Sequence, residues 1–504
     1  MSKPNMSTDL IKLKSTHLPC EPDHGKISFR RILPARAGVS RNGDSMAYDI
    51  VLENGSVYIG GHLVPADVYV KDGVIAACQR RGEREHAEVG ESIDVSGKIV
   101  VPGAIDTHTH TREPGYTHKE DFFTSSQAAA AGGYTTIIDM PNVEPPTDTV
   151  ELFEKKRELA AGKSIVDWGH WVAGTRPDRI QAFAEAGVTG FKIFQVSGAY
   201  PHDPRLALND EGDLMASFRA IADTGLPCLV HPFNQSLFER FHKEAMDRGE
   251  KPDGILFSRI YTTEEIWHTA VNTLLALQSI TGVRLQLLHT HSAGSIELIR
   301  RAKERGQRVT AEADPKYYHY TLRELRELGP RIIPGGFVTE DAARVDAIFQ
   351  ALRDGTIDNI GSDHAPHTVE ELEVAKTDAW QAHLGSAQLE WVYGLILTDV
   401  ANDKHSLRRA VELLSEAPAK LAGVWPRKGL IAPGMDADLN VIDLDEEYTV
   451  TEDRVYSKVG ISGYLGRQFK GRVKMTFRRG ELIAKDGEVI GRAGTGRYIG
   501  SHPQ

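Results

Sequence analysis

The chain has 504 residues, with 59 Lys and Arg against 70 Asp and Glu for a formal charge of -11. At 40% hydrophobic and 26% charged residues, with ordinary Gly and Pro usage, it falls outside the disordered, collagenous and coiled-coil classes. The acidic balance, without a basic block, argues against a nucleic-acid partner, and Cys20, Cys78 and Cys228 can build neither a disulfide framework nor a thiolate zinc site.

Residues 1–47 are polar and without a sustained period, and are expected to form an N-terminal extension. The opening MSKPNMSTDLIKLK lacks the apolar stretch of a secretory signal, and no apolar run reaches the roughly 18 residues of a membrane span. A cytoplasmic protein without a membrane partner is the expectation. From Tyr48 short alternating runs are punctuated by Asn54-Gly55, Gly60-Gly61 and Asp72-Gly73, which predict antiparallel hairpins. The same texture returns in ADLNVIDLDEEYTV and GRVKMTFRRGELIAKDGEVI, where Asp486-Gly487 marks a further hairpin. Residues 48–103 and 426–490 are therefore expected to form one small β-sandwich domain built from both ends, leaving 491–504 as a C-terminal tail.

Between them, residues 104–425 alternate short apolar runs with longer amphipathic ones, the βαβ rhythm of a parallel sheet under outer helices. The strand candidates are GAIDTH, TTIIDM, IVDWGHWVAG, GFKIF, PCLVHP, VRLQLLH, RVTAEAD and IDNIGSDH, with helices expected over 120–132, 149–161, 292–306 and 340–354. The fold class is thus α/β: a (β/α)8 TIM-type barrel with a small β domain.

Metal-capable side chains end several of these strands: His108 and His110 the first, His231 the fifth, His289 the sixth and Asp363 the eighth. All strand C-termini of such a barrel open on one face, so these residues converge. Alternate residues of a strand point the same way, which lets the His108-Thr109-His110 pair present two imidazoles to one cation. Lys192, inside Gly-Phe-Lys-Ile-Phe, could be a buried neutral amine able to form a carbamate, but chemistry alone favours a head that snorkels to a carboxylate at the rim. Asp363 could ligate a metal, act as a general base or cap the next helix. His364 and His367 could touch substrate or be polar loop residues.

The strings Asp106-Thr-His-Thr-His-Thr-Arg-Glu-Pro-Gly115, His118-Lys-Glu-Asp121, Met140-Pro-Asn142 and Asp363-His-Ala-Pro-His367 resemble the amidohydrolase superfamily, and within it the cyclic amidohydrolases dihydroorotase, allantoinase and hydantoinase/dihydropyrimidinase. The N-terminal half is most similar to dihydroorotase. The resemblance implies two divalent metal ions, with zinc expected. His108, His110 and Asp363 would hold the first, His231 and His289 the second, and a carbon dioxide-derived carbamate on Lys192 would bridge them. It implies Asp363 as the catalytic proton carrier in hydrolysis of a ring amide to a carbamoyl acid. Arg112, Asn142 and His367 would hold a substrate carboxylate, and a homodimer or homotetramer would be usual. Allantoinase or hydantoinase activity is the alternative. A non-catalytic scaffold relative is disfavoured because the ligand positions all hold competent residues. Departures from the pattern lie in the loops: Ile333-Pro-Gly-Gly-Phe-Val338, His231-Pro-Phe-Asn234, His289-Thr-His291 and Asp314-Pro-Lys-Tyr-Tyr318. These line the substrate side, so the expected function is dihydroorotase-like in its chemistry, with the identity of the ring left open.

Overall fold

The computed structural model describes residues 48–81, 88–196 and 203–500; the expected extension 1–47 and residues 501–504 of the tail lie outside them. Parallel strands Ala104–Thr109, Tyr134–Asp139, Asp167–Ala173, Gly190–Phe194, Pro227–His231, Arg284–Leu287, Val309–Ala313 and Asn359–Ile360 lie side by side in chain order. Most are buried along their whole length, as strands covered on both faces must be, and this is why they read as apolar runs rather than alternating ones. The two ends of the sheet meet. Thr109 bridges His364 in parallel, the His110 N–H donates to the His364 carbonyl at 2.8 Å, and Ser362 donates to the buried Asp106 carboxylate from both its N–H and its hydroxyl, each at 2.8 Å. The sheet is the expected (β/α)8 barrel.

The expected outer helices are present at Phe122–Gly132, Val150–Lys163, Ala293–Glu304 and Ala342–Asp354. The first starts two residues later than its periodicity suggests because Asp121 caps it. Its carboxylate accepts the Phe123 and Thr124 N–H groups, and Gly133, at φ 91°, ends the helix in the left-handed region. Between the fifth and sixth strands the chain makes three helices, Gln235–Asp247, Gly254–Tyr261 and Glu264–Thr281, and after the eighth a long segment carrying the short helix Val369–Glu373 runs to the helix Val392–Ala401. These insertions sit over the barrel mouth and supply most of its wall.

The flanks join in one curled, mixed sheet of ten strands. Ile99–Pro102 is its seam, pairing antiparallel with Leu439–Ile442 and parallel with Ser56–Val57. Leu52, Val57, Val68 and Val100 from one flank pack with Leu439, Val441 and Phe477 from the other. The Asp72-Gly73 and Asp486-Gly487 turns have both residues at positive φ (51° and 80°, 51° and 81°), as type I′ hairpins require.

The opposite, N-terminal face of the barrel is closed by the tail. The Trp168 N–H donates to the Arg497 carbonyl at 3.0 Å and the Ile499 N–H to the Trp168 carbonyl at 2.9 Å, while Ile499 joins a core with Ile105, Trp171, Leu229 and Leu288. Nearby, Asp167, Asp436 and Asp438 form a carboxylate cluster, but Lys428 sits among them at 2.5–3.0 Å and is fully buried, so the cluster is an internal ion pair network. Among the described residues no helix is long and apolar enough to cross a membrane.

Candidate active site

At the C-terminal face the strand ends deliver their polar side chains to one cavity of about 450 Å3, lined by His108, His110, His231, His289 and Asp363. His289 (φ 47°), Asp363 (φ 42°) and Arg112 (φ 62°) are non-glycine residues in the left-handed region. Such backbone is costly, and at these positions it turns functional side chains inward at the ends of strands.

His108 is aimed from behind. Its Nδ1 lies 2.6 Å from Oε1 of Glu312, a fully buried acid on the seventh strand that also accepts from the Thr107 hydroxyl at 3.2 Å and the Asn359 amide at 3.3 Å. Burial pushes the Glu312 carboxyl up to about 8, against the pull of Lys192; in its ionised form it accepts from Nδ1–H and leaves the His108 Nε2 lone pair facing Asp363 Oδ1, 3.3 Å away. His110 repeats the arrangement, with Nδ1 against Asn142 Oδ1 at 2.7 Å and Nε2 at 3.1 Å from the same Asp363 oxygen. Burial drives both imidazoles down to about 3, so they are neutral. Burial would raise the Asp363 carboxyl, but the Lys316 ammonium outweighs it and holds the carboxyl well below the usual carboxylate range. Lone pairs of three groups therefore converge within 4.8 Å of one another, which a cation between them would relieve. Glu312 also clusters with His108 and His289, but from behind His108 it serves to orient the ring.

His231 Nδ1 and His289 Nε2 lie 3.0 Å apart, and the His289 ring centre is 4.8 Å from that of His108. The other His231 nitrogen meets the Tyr261 hydroxyl at 3.2 Å. Lys192 does not snorkel. It is fully buried, its Nζ has no hydrogen-bond partner among the described residues and lies 4.4 Å from the Phe194 ring centre, and burial lowers its ammonium to about 7. Lys316, within the Asp314-Pro-Lys-Tyr-Tyr318 loop, pairs with Asp363 Oδ2 at 2.5 Å and Asp314 Oδ2 at 2.6 Å.

The three expected substrate contacts differ in position. Arg112 is fully buried. Its Nε donates to the Pro366 carbonyl at 3.2 Å and Nη2 to His367 Nε2 at 3.0 Å, while Nη1 has no partner among the described residues. The Asn142 side-chain oxygen accepts from His110, and its Nδ2 has no partner among the described residues. His367 stands behind Arg112, with Glu371 at its Nδ1, and His364 is held in the packing by the Gln388 and Leu389 N–H groups. The outer wall is aromatic: Phe194, Phe233, Phe238, Phe257, Tyr261 and Trp380. Glu312 and this wall were not anticipated. For Glu312 a signal existed, an acid inside the otherwise apolar RVTAEAD run.

A barrel carrying this His, Asp and Lys constellation at its C-terminal face defines a metal-dependent hydrolase, and the amidohydrolase family matches residues 99–483. The chain belongs to that family, and within it to the enzymes that act on cyclic amides. It is 33% identical to an L-hydantoinase of Paenarthrobacter aurescens over 462 residues, 90% of this chain and 98% of that protein. It is 36% identical to an allantoinase of Streptomyces avermitilis over 401 residues, 78% and 86%. It is 32% identical to a dihydroorotase of Methanothermobacter thermautotrophicus over 454 residues, 90% and 97%. The solved L-hydantoinase (dihydropyrimidinase) from Arthrobacter aurescens superposes with a TM-score of 0.84 at 32% identity, covering 90% of this chain and all of that one.

Proposed function

We propose that this enzyme opens a cyclic amide whose ring carries a large apolar substituent, a 5-substituted hydantoin being the reference chemistry. The observation that supports this is the cavity wall: beyond the polar cluster Phe233, Phe238, Phe257 and Trp380 offer aromatic faces suited to an aryl side chain. Dihydroorotate and allantoin have no apolar group to place there. The relative named L-hydantoinase supports the same choice.

Divalent cations, with zinc expected, would be held by His108, His110 and Asp363 and by His231 and His289, with Lys192 between, and would polarise the ring carbonyl and acidify a water. The chain's own contribution is aim and proton handling. Glu312 and Asn142 orient His108 and His110, and Asp363, ionised and lining the cavity, takes the proton of the attacking water and returns it to the departing ring nitrogen. The buried Lys192 amine would form an N–C bond to carbon dioxide and release a proton, becoming an anion in a place where the free ammonium has no hydrogen-bond partner among the described residues. On the family resemblance alone, the reading extends to a cytoplasmic homodimer or homotetramer, which sedimentation tests.

The test is metal analysis with a substrate panel of 5-benzylhydantoin, hydantoin, dihydrouracil, allantoin and dihydroorotate. The highest kcat/KM is expected on the benzyl compound, and a preference for allantoin or dihydroorotate overturns the reading. A second reading, a substrate carboxylate, is favoured by the unpartnered donors Arg112 Nη1 and Asn142 Nδ2. It predicts that Arg112→Ala harms acidic rings far more than neutral ones, and equal losses would refute it.

A further inference from the structure

Lys316 and Asp314 form a buried ion pair against the polar cluster, both side chains at most 1% exposed. Asp314 is fixed first: its Oδ1 accepts the Lys316 backbone N–H at 3.0 Å, at the start of the short helix Pro315–His319, and the Gln388 amide at 3.3 Å. That leaves Oδ2 to the Lys316 ammonium, which reaches on to Asp363 Oδ2 while Oδ1 of Asp363 faces the two imidazoles. A buried pair of this kind costs desolvation that an apolar pair of the same size would avoid, so packing alone does not account for it. Lys316 also lines the cavity.

We propose that Lys316 is a positioning residue for Asp363: it occupies one carboxylate oxygen, so that Asp363 can offer only Oδ1 to a cation held with His108 and His110. Asp314 is the counter-ion that keeps Lys316 in place. The carboxylate is thereby prevented from swinging round to chelate with both oxygens, and keeps the orientation from which it serves the cavity. A positive charge beside the ligand set also weakens cation binding, so the arrangement lowers metal affinity in return for a fixed carboxylate.

The experiment compares purified full-length protein with the variants Lys316→Met, Lys316→Gln and Lys316→Arg, stripped of metal. Each is titrated with zinc alone against a chromophoric chelator, and thermal unfolding is followed with and without zinc. The Met and Gln variants are expected to bind zinc at least about tenfold more tightly, since Asp363 gains an oxygen and loses a neighbouring cation. Their kcat is expected to fall about 10–100-fold with little change in KM, as for other groups that orient a ligand, and Arg is expected to restore both values in part. Zinc affinity decides. Unchanged or weaker binding in the Met and Gln variants overturns the proposal, as does failure of both metal-free variants to fold, which would make Lys316 a packing element. The binding measurement does not depend on which ring is the substrate.

Discussion

His108 and Glu312 face one another inside the barrel, Nδ1 to Oε1 at 2.6 Å, with neither side chain exposed. The contact sets which nitrogen of His108 carries the proton and so which lone pair the barrel mouth receives. Glu312→Gln keeps the volume and removes the carboxylate. It is expected to lower metal affinity or kcat about 10–100-fold while leaving the unfolding temperature nearly unchanged, as metal titration and calorimetry would show. Wild-type affinity and rate in this variant would leave Glu312 without an orienting role.

Lys192 is the second place where chemistry can be read directly. Native mass spectrometry in bicarbonate buffer is expected to show one added carbon dioxide per chain that is lost on acidification and absent from Lys192→Ala. The same substitution is expected to cut bound metal. Full metal content and turnover in Lys192→Ala would mean that the amine is only buried.

Trp380 stacks on His242 with ring centres 3.9 Å apart and packs against Phe238 and Phe257. Trp380→Ala is expected to lower kcat/KM for 5-benzylhydantoin by roughly 10–200-fold, the size of losing an apolar contact in a substrate pocket, and to leave unsubstituted hydantoin within about twofold. Equal losses on both would assign Trp380 to the fold.

Lys428→Met leaves Asp167, Asp436 and Asp438 in the barrel floor without their shared cation. Removing one partner of such a buried network is expected to destabilise by about 3–5 kcal/mol at neutral pH. The sign with pH follows from the carboxyls. In the native protein burial pushes Asp167 up, but Lys428 and Arg479 prevail and hold it at about 2, so its contribution is present above its unfolded value of 3.8 and is lost as pH falls through about 2. Burial already raises Asp438 above its ordinary value despite Lys428; without Lys428 it rises further and Asp167 loses the larger of its two cationic partners, so the penalty grows as pH rises past about 4 and shrinks below it. Unfolding midpoints measured between pH 4 and 8 should therefore diverge with rising pH; parallel curves would argue against the network.

The barrel was legible because fully buried strands write continuous apolar runs, and the His108-Thr109-His110 spacing announces a shared direction at a strand end. The side of the molecule that chooses a substrate was far less so. Phe233, Phe238 and Phe257 come from the insertion after the fifth strand and Trp380 from the loop after the eighth, and no local period tells residues so far apart in sequence that they will meet. Lys192 shows the same limit from another direction. A lysine in an apolar run reads as one whose head escapes, and only the surrounding barrel removes the escape route. Asn142 sat in a recognisable motif, yet its oxygen is committed to His110, a partner visible only once strand ends converge.

The segment that closes the barrel floor has a consequence for synthesis. Arg497 and Ile499, which hydrogen-bond to Trp168, follow every ligand of the site in chain order, and the Ile99–Pro102 seam waits for Leu439–Ile442. A nascent chain carrying every ligand of the site still lacks both closures, so the mouth is encoded before the base beneath it can lock, and chains stopped after residue 425 should be less protease-resistant than chains that also carry residues 426–500.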